Sequence, residues 1–133
     1  MIAVDTNVLV RLLTGDDPKQ AAKVSLVFGA GPVWIAKTVL LETCWVLRSI
    51  YGFDTLAIHG AFTRLLGLAD VRAEDESSVT TALALMAQGV DLADAMHSSS
   101  RPPGAVFVSF DKSFVRHARK AGAPDVFDVD VKY

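Results

Sequence analysis

The stretch Ile2-Ala3-Val4-Asp5-Thr6-Asn7 decides the fold, because a short apolar run passes at once into polar residues. The apolar part predicts a buried strand. In an open parallel sheet, ligands bind just beyond the carboxyl ends of the strands, and Asp5 occupies that position. Asp5 is therefore a candidate site residue, although it could instead only cap the helix that follows.

Short apolar strands and helices alternate along the rest of the chain. Further strands are predicted at 33–35, around Val71, at 105–109 and at 126–127. Helices are predicted at about 8–13, 18–28, 37–49, 54–68 and 77–88. Two more are predicted: one begins at Asp91 and ends before Pro102, and the other follows Asp111 and ends at about residue 121. This order predicts an α/β fold with a parallel sheet covered by helices on both faces. No repeat or long linker divides the chain, so we expect a single domain over residues 1–133.

The composition narrows the class of protein. Of the 133 residues, 51% are hydrophobic and 21% are charged, which predicts a globular domain with a sizeable core. We expect a soluble, cytoplasmic protein, because no apolar run is long enough for a membrane helix and no signal-like leader precedes Asp5. The single cysteine, Cys44, excludes an internal disulfide and suits packing in a helix.

The net charge of −2 argues weakly against nucleic-acid binding, but the charge is unevenly distributed. Residues 101–122 carry five Lys and Arg residues and one acid, whereas residues 70–94 carry six acids and one base. A solvated helix face would explain this pattern. A basic rim that faces phosphates beside an acidic pocket would explain it as well.

Three more acids stand at helix starts. Asp111 follows the strand predicted at 105–109 and repeats the pattern of Asp5. Asp91 and Asp94 form an Asp-x-x-Asp pair. Asp91 could cap the helix, and the negative charge of Asp94 in the first turn could interact favourably with the helix dipole. The apolar neighbours of Asp94 indicate that this turn packs against the protein, so a purely structural role explains Asp91 better than Asp94.

Glu42 is expected to be partly buried. It lies on the helix predicted at 37–49, where Trp45 and Val46 are among its neighbours one turn away. The solvated face of this helix is expected around Lys37 and Arg48. A partly buried carboxylate needs a partner, which could be a metal ion or a buried arginine.

Four carboxylates gathered at one point would repel each other, and a divalent cation would remove that conflict. Hard oxygen ligands, without cysteine or a pair of histidines, favour Mg²⁺ or Mn²⁺ over zinc. The three histidines show no metal-ligand spacing.

Four segments resemble, in order, the motifs of PIN-domain nucleases, and in particular those of VapC-type toxins from toxin–antitoxin pairs. They are IAVDTNVL (2–9), LLETCWVL (40–47), GVDLADA (89–95) and VSFDKSF (108–114). One stretch departs from the family pattern, because the polar residues at 97–100 replace an apolar, alanine-rich continuation.

The resemblance implies a PIN-like, Rossmann-like three-layer α/β/α sandwich and a Mg²⁺-dependent endoribonuclease. The catalytic and metal-binding acids would be Asp5, Glu42, Asp94 and Asp111. Asn7 matches the position that steadies the first carboxylate, and Asp91 matches a secondary acid. The resemblance also implies a homodimer and a small antitoxin that covers the active site. The apolar helices near the middle of the chain, especially Leu56 to Leu68, offer a surface for the dimer.

The predicted reaction is hydrolysis of RNA phosphodiester bonds by a metal-activated water. Asp111 or Glu42 would accept the water proton, and Lys112 and Arg116 are candidates to hold the RNA backbone. Three alternatives stay open: a PIN nuclease of RNA processing that is no toxin, a phosphatase with Asp5 as nucleophile, and a non-catalytic binding module. The phosphatase typically needs a second Asp two residues after the first, where this chain has Asn7.

Overall fold

The computed structural model describes all residues, Met1–Tyr133, and contains five strands and eight helices. The strands are β1 (Ile2–Ala3), β2 (Val33–Ile35), β3 (Val71–Ala73), β4 (Phe107–Ser109) and β5 (Val126–Asp128). The helices are α1 (Thr6–Thr14), α2 (Pro18–Gly29), α3 (Lys37–Ser49), α4 (Thr55–Leu66), α5 (Glu76–Ala87), α6 (Leu92–Ser99), α7 (Lys112–Lys120) and α8 (Val129–Lys132).

All strand pairs are parallel, as predicted, and the α/β class is confirmed. The strands pair in two groups, β1-β2-β3 and β4-β5. Ile2 lies opposite Val33, which lies opposite Val71, and Phe107 lies opposite Val126. None of the helices has the length and apolar composition needed to cross a bilayer.

The contacts within the chain group its residues into two compact units, which we call unit 1 (Met1–Glu76) and unit 2 (Ser77–Tyr133). Unit 1 therefore holds the three-stranded sheet with α1 to α4, and unit 2 holds the two-stranded sheet with α6 to α8 and all of α5 except Glu76. The expectation of a single domain over residues 1–133 stays a prediction.

The helices of unit 1 are capped at their N-termini and pack around an apolar core. Asp17 caps α2 beside a proline in the first turn, and Asp54 caps α4. Helix α3 has no capping side chain of its own, and the carboxylate of Glu74 accepts a hydrogen bond from the backbone N–H of Lys37 instead (3.0 Å). The core side chains, each worth about 1.5–3 kcal/mol when buried, are Leu9, Val33, Ile35, Leu40, Leu47, Ile58 and Phe62.

Unit 2 buries one face of each of its three longer helices. Its core contains Val79, Leu85, Met86, Leu92, Met96, Phe114, Val115 and Val126. The rings of Phe107 and Phe114 meet edge to face, with centroids 5.8 Å apart. Arg101 donates to three backbone carbonyls, those of Ser98, Ala105 and Pro124, so this guanidinium serves the fold of unit 2.

The element boundaries differ from the sequence predictions at a few points. Helix α1 begins at Thr6 because Asp5 caps it directly, and β4 covers only part of the stretch predicted at 105–109. The short helix α8 is not predicted at all. The polar stretch at 97–100 fits its helix, because the hydroxyl groups of Ser98 and Ser99 bond back to the carbonyl of Ala95.

Candidate active site

Asp5 stands two residues after the end of β1 and is exposed at the N-terminus of α1. Its Oδ1 atom accepts a hydrogen bond from the backbone N–H of Thr6 (2.7 Å). Asp5 therefore is a helix cap, as the structural alternative held. The cap uses one carboxylate oxygen and leaves the other available to a ligand.

Glu42 is exposed, so the prediction of a partly buried carboxylate is wrong. The reason lies in the neighbouring Trp45, which is 62% exposed and does not enclose Glu42. The buried face of α3 consists of Leu40, Thr43, Cys44 and Leu47. Lys37 does not mark the solvated face of α3 either, since its side chain is only 18% exposed and its Nζ atom pairs with Asp75 (2.8 Å).

Asp5 and Glu42 nevertheless line the same cavity in unit 1, which has a volume of about 330 Å³. Helix α1 forms one wall, with Thr6 and Val10, and α3 forms the other. Asn7, which the sequence assigned a supporting role, also lines this cavity. The structure thus brings two of the four predicted acids, Asp5 and Glu42, to one cavity.

Thr6 adds an unusual polar group to this wall. Its side chain is buried, and its Oγ1 atom has no hydrogen-bond partner. A buried hydroxyl group without a partner costs free energy, so such groups are rare in folded proteins. Thr6 lines the cavity next to Asp5, where an oxygen-bearing ligand could satisfy the hydroxyl.

Arg11 also lines the cavity that contains Asp5 and Glu42, and the sequence analysis did not predict this. Its Nη1 atom donates to Asp16 Oδ1 and to the hydroxyl oxygen of Tyr51, both at 3.1 Å, and its Nε atom donates to Gln20. Tyr51 donates in turn to Asp16 Oδ2 (2.6 Å). The hydrogen bond from Tyr51 is the main reason why the pKa of Asp16 lies below its ordinary value. The only sequence signal for Arg11 is its spacing of one helical turn from Asn7.

In unit 2, Asp91 caps α6 by accepting from the backbone N–H groups of Ala93 and Asp94. Asp94 follows in the first turn and is half-buried, as predicted. Burial raises the pKa of Asp94, and the charges of Asp91 and Asp111 raise it further. The other two predicted acids, Asp94 and Asp111, thus both lie in unit 2, and the charge of Asp111 acts on Asp94.

Asp111 occupies a hydrogen-bonded turn between β4 and α7. Its Oδ1 atom accepts from the backbone N–H of Phe114 (2.9 Å) and so caps α7. Its own N–H donates to the hydroxyl oxygen of Ser109 (3.0 Å). Like Asp5, this acid follows a strand and caps a helix, so the two structural alternatives are both observed.

The two basic candidates on α7 differ in their surroundings. Lys112 lies 3.7 Å from a carboxylate oxygen of Asp128 and 3.6 Å from one of Asp130. Arg116 is exposed and makes no ion pair. Of the two, Arg116 offers the unpaired cation.

The carboxylates fit a hard divalent cation in their chemistry. Within neither unit do three or more His, Cys, Asp or Glu side chains form a cluster that could hold a metal ion. Mg²⁺, however, is often bound through only one or two protein carboxylates, with water and substrate phosphate oxygens completing its shell. Asp5 with Glu42, and Asp94 with Asp111, would be such pairs.

The chain also matches a known family. The family model of the PIN domain matches residues 2–120, which includes all four candidate acids. No curated protein and no solved structure matches the chain significantly. PIN domains are nucleases that generally use divalent metals, and the predicted PIN-like α/β fold is confirmed. The chain therefore belongs to the PIN domain family, a family of metal-dependent nucleases.

Proposed function

We propose that this protein is a Mg²⁺-dependent endoribonuclease and the toxin of a type II toxin–antitoxin pair. The main observation that supports a nuclease is the cavity in unit 1, which is lined by both Asp5, the cap of α1, and Glu42 on α3. The preference for RNA and the toxin role rest on the resemblance of four sequence segments to VapC-type toxins.

The acids have separate tasks in the proposed reaction. The resemblance assigns metal binding to Asp5 in unit 1 and to Asp94 in unit 2, and Glu42 and Asp111 would complete the acidic set. When bound, the cation supplies the Lewis acidity that stabilises negative charge on the scissile phosphate. Glu42 or Asp111 accepts the proton of the attacking water, and both are exposed enough to exchange it with solvent. Asn7 and Asp91 support the acids beside them, and Arg116 holds the RNA backbone.

The proposed antitoxin is a short protein with a basic, partly apolar tail. An Arg or Lys from the tail would pair with the acids, because a guanidinium binds carboxylates well. A second cavity, of about 340 Å³, lies between α1 and α2 and is lined by Val8, Val24 and Val27. Asn7 and Arg11 line both cavities, so apolar tail residues seated here would lie beside the acid pair.

The proposed homodimer uses exposed apolar side chains of unit 1. On α4, Ile58 and Phe62 are buried in the core, whereas Leu56 is 79% exposed. Trp45 on α3 is exposed as well. Large apolar side chains in contact with water are common at interfaces. Light scattering at micromolar concentration should show a dimer, and a monomer alone would contradict this part of the proposal.

The nuclease is tested with purified protein that carries no partner. Incubation with total RNA and Mg²⁺, followed by mapping of the cut ends, should give cleavage that stops on addition of a chelator. Mn²⁺ should replace Mg²⁺. Cleavage that survives the chelator would contradict the metal requirement, and an acyl phosphate trapped on Asp5 would favour a phosphatase instead.

A further inference from the structure

The cavity that holds Asp5 and Glu42 extends along α3 to a chemically different end. Glu42, Val46 and Ile50 all line it and follow one another in steps of four residues. They therefore form one stripe along the helix, about 12 Å long at 1.5 Å per residue. Tyr51, directly after this stripe, lines the far end.

Arg11 gives the far end a hydrogen-bonding group without an excess charge. Its guanidinium is paired with Asp16, and both are bonded to the hydroxyl group of Tyr51. A phosphate placed here would meet the carboxylate of Asp16 beside the cation. The pairing therefore favours a neutral, polar group over an anion.

The aromatic ring at this end is held from two sides. Its hydroxyl group is fixed by Arg11 and Asp16, and the ring of Phe53 meets that of Tyr51 edge to face, with centroids 6.5 Å apart. A ring held in this way loses little entropy when a flat ligand packs against it. Ile50, which is 67% exposed, adds an apolar surface next to the ring.

We propose that the end of the cavity formed by Arg11, Ile50 and Tyr51 binds a nucleobase, that of the nucleotide next to the scissile phosphate. This inference rests on the proposed function, because it takes the Asp5–Glu42 end as the place of cleavage. A nucleobase is flat and neutral and has hydrogen-bonding edges, which are the properties that the far end matches. Packing of a base on an aromatic ring tolerates any base, so the site selects unpaired nucleotides rather than a sequence.

The first test measures binding without cleavage. Adenosine monophosphate and ribose 5-phosphate carry the same phosphate group, and only the former carries a base. In the absence of divalent metal, we expect adenosine monophosphate to shift the NMR signals of Ile50 and Tyr51 in a saturable manner, and ribose 5-phosphate to leave them unchanged. Equal binding of the two compounds, or no binding of adenosine monophosphate, would overturn the base site.

Variants locate the binding. Tyr51→Ala should weaken binding of adenosine monophosphate about tenfold, in line with the loss of one base–aromatic contact. Ile50→Ala should weaken it by a smaller factor, and it is decisive if Tyr51→Ala does not fold, because Ile50 is largely exposed. Leu26→Ala is the matched control, since Leu26 is 73% exposed on α2 and does not line the cavity. Binding that is unaffected in both cavity variants would overturn the assignment.

The second test uses cleavage. An abasic nucleotide is placed at successive positions of an oligoribonucleotide that the protein cuts. We expect kcat/KM to fall about tenfold only when the abasic position adjoins the cut, and Tyr51→Ala to lose this dependence. An abasic effect that is the same in the wild type and in Tyr51→Ala would contradict the site. A protein that binds adenosine monophosphate as expected but cuts no RNA would refute the proposed function and leave the base site standing.

Discussion

Asp5 and Glu42 in unit 1 stand in a different environment from Asp94 and Asp111 in unit 2. In unit 1, Asp5 caps α1 and Glu42 lies on α3, and both acids are exposed and line one cavity. In unit 2, Asp94 is half-buried, and its pKa is raised by burial and by two neighbouring acids. The first pair offers room for a ligand, whereas the second keeps like charges close together. A cation would relieve this repulsion, and the chemistry of unit 2 would then be coupled to metal binding.

The largest expected effect comes from neutralising one acid of each unit. We expect Asp5→Asn and Asp94→Asn each to lower RNA cleavage at least about 100-fold, because a neutral amide is a weaker ligand for a hard cation and stabilises less charge. Asp54→Asn is the matched control, since Asp54 caps α4 with the same kind of hydrogen bond (2.8 Å to the N–H of Ala57). Full activity of Asp94→Asn would mean that Asp94 has only a structural role.

The effect of Mg²⁺ on thermal stability should show whether the acids of both units take part in metal binding. At a Mg²⁺ concentration 100 times the dissociation constant, binding to the folded state adds about 2.7 kcal/mol to the free energy of unfolding. Thermal unfolding should therefore shift upward with Mg²⁺ in the wild type and shift less in Asp5→Asn and Asp94→Asn. An equal shift in both variants and the wild type would mean that the cation binds elsewhere.

Replacing Arg116 or Lys112 on α7 should have an intermediate effect, on the binding of RNA. Arg116→Ala should weaken binding of RNA and lower the slope of log affinity against log salt by about 1, as expected for one lost phosphate contact. Lys112→Ala should change the slope less, because Lys112 lies near Asp128 and Asp130. Equal slopes for the two variants would contradict this ranking.

The smallest effect concerns pH. Because the folded state raises the pKa of Asp94, ionisation of this group costs stability. The cost is absent below the ordinary pKa of an aspartate and grows as the pH rises through the raised value. Without metal, Asp94→Asn should thus unfold at a higher temperature than the wild type at pH 7, and the difference should vanish in acid. A variant that is less stable than the wild type at pH 7 would contradict the repulsion.

Local chemistry made much of this structure predictable from the sequence. Asp5, Asp54, Asp91 and Asp111 were expected at helix starts, and all four are observed as caps. The exposure of Glu42 was not predictable, because it depends on whether the large side chain of Trp45 packs inward. The contact between Arg11 and Tyr51 joins residues 40 positions apart, and no local pattern indicates it.

The three hydrogen bonds that Arg101 donates to backbone carbonyls have a consequence for proteolysis. The loop after α6 contains exposed prolines and a glycine, which makes it a natural place for a protease to cut. Arg101 ties the end of α6, the approach to β4 and the turn before β5 together through one guanidinium. We therefore expect cleavage in this loop to be slower than its exposure suggests, and to become faster in Arg101→Ala, because these three bonds hold the loop to the rest of unit 2.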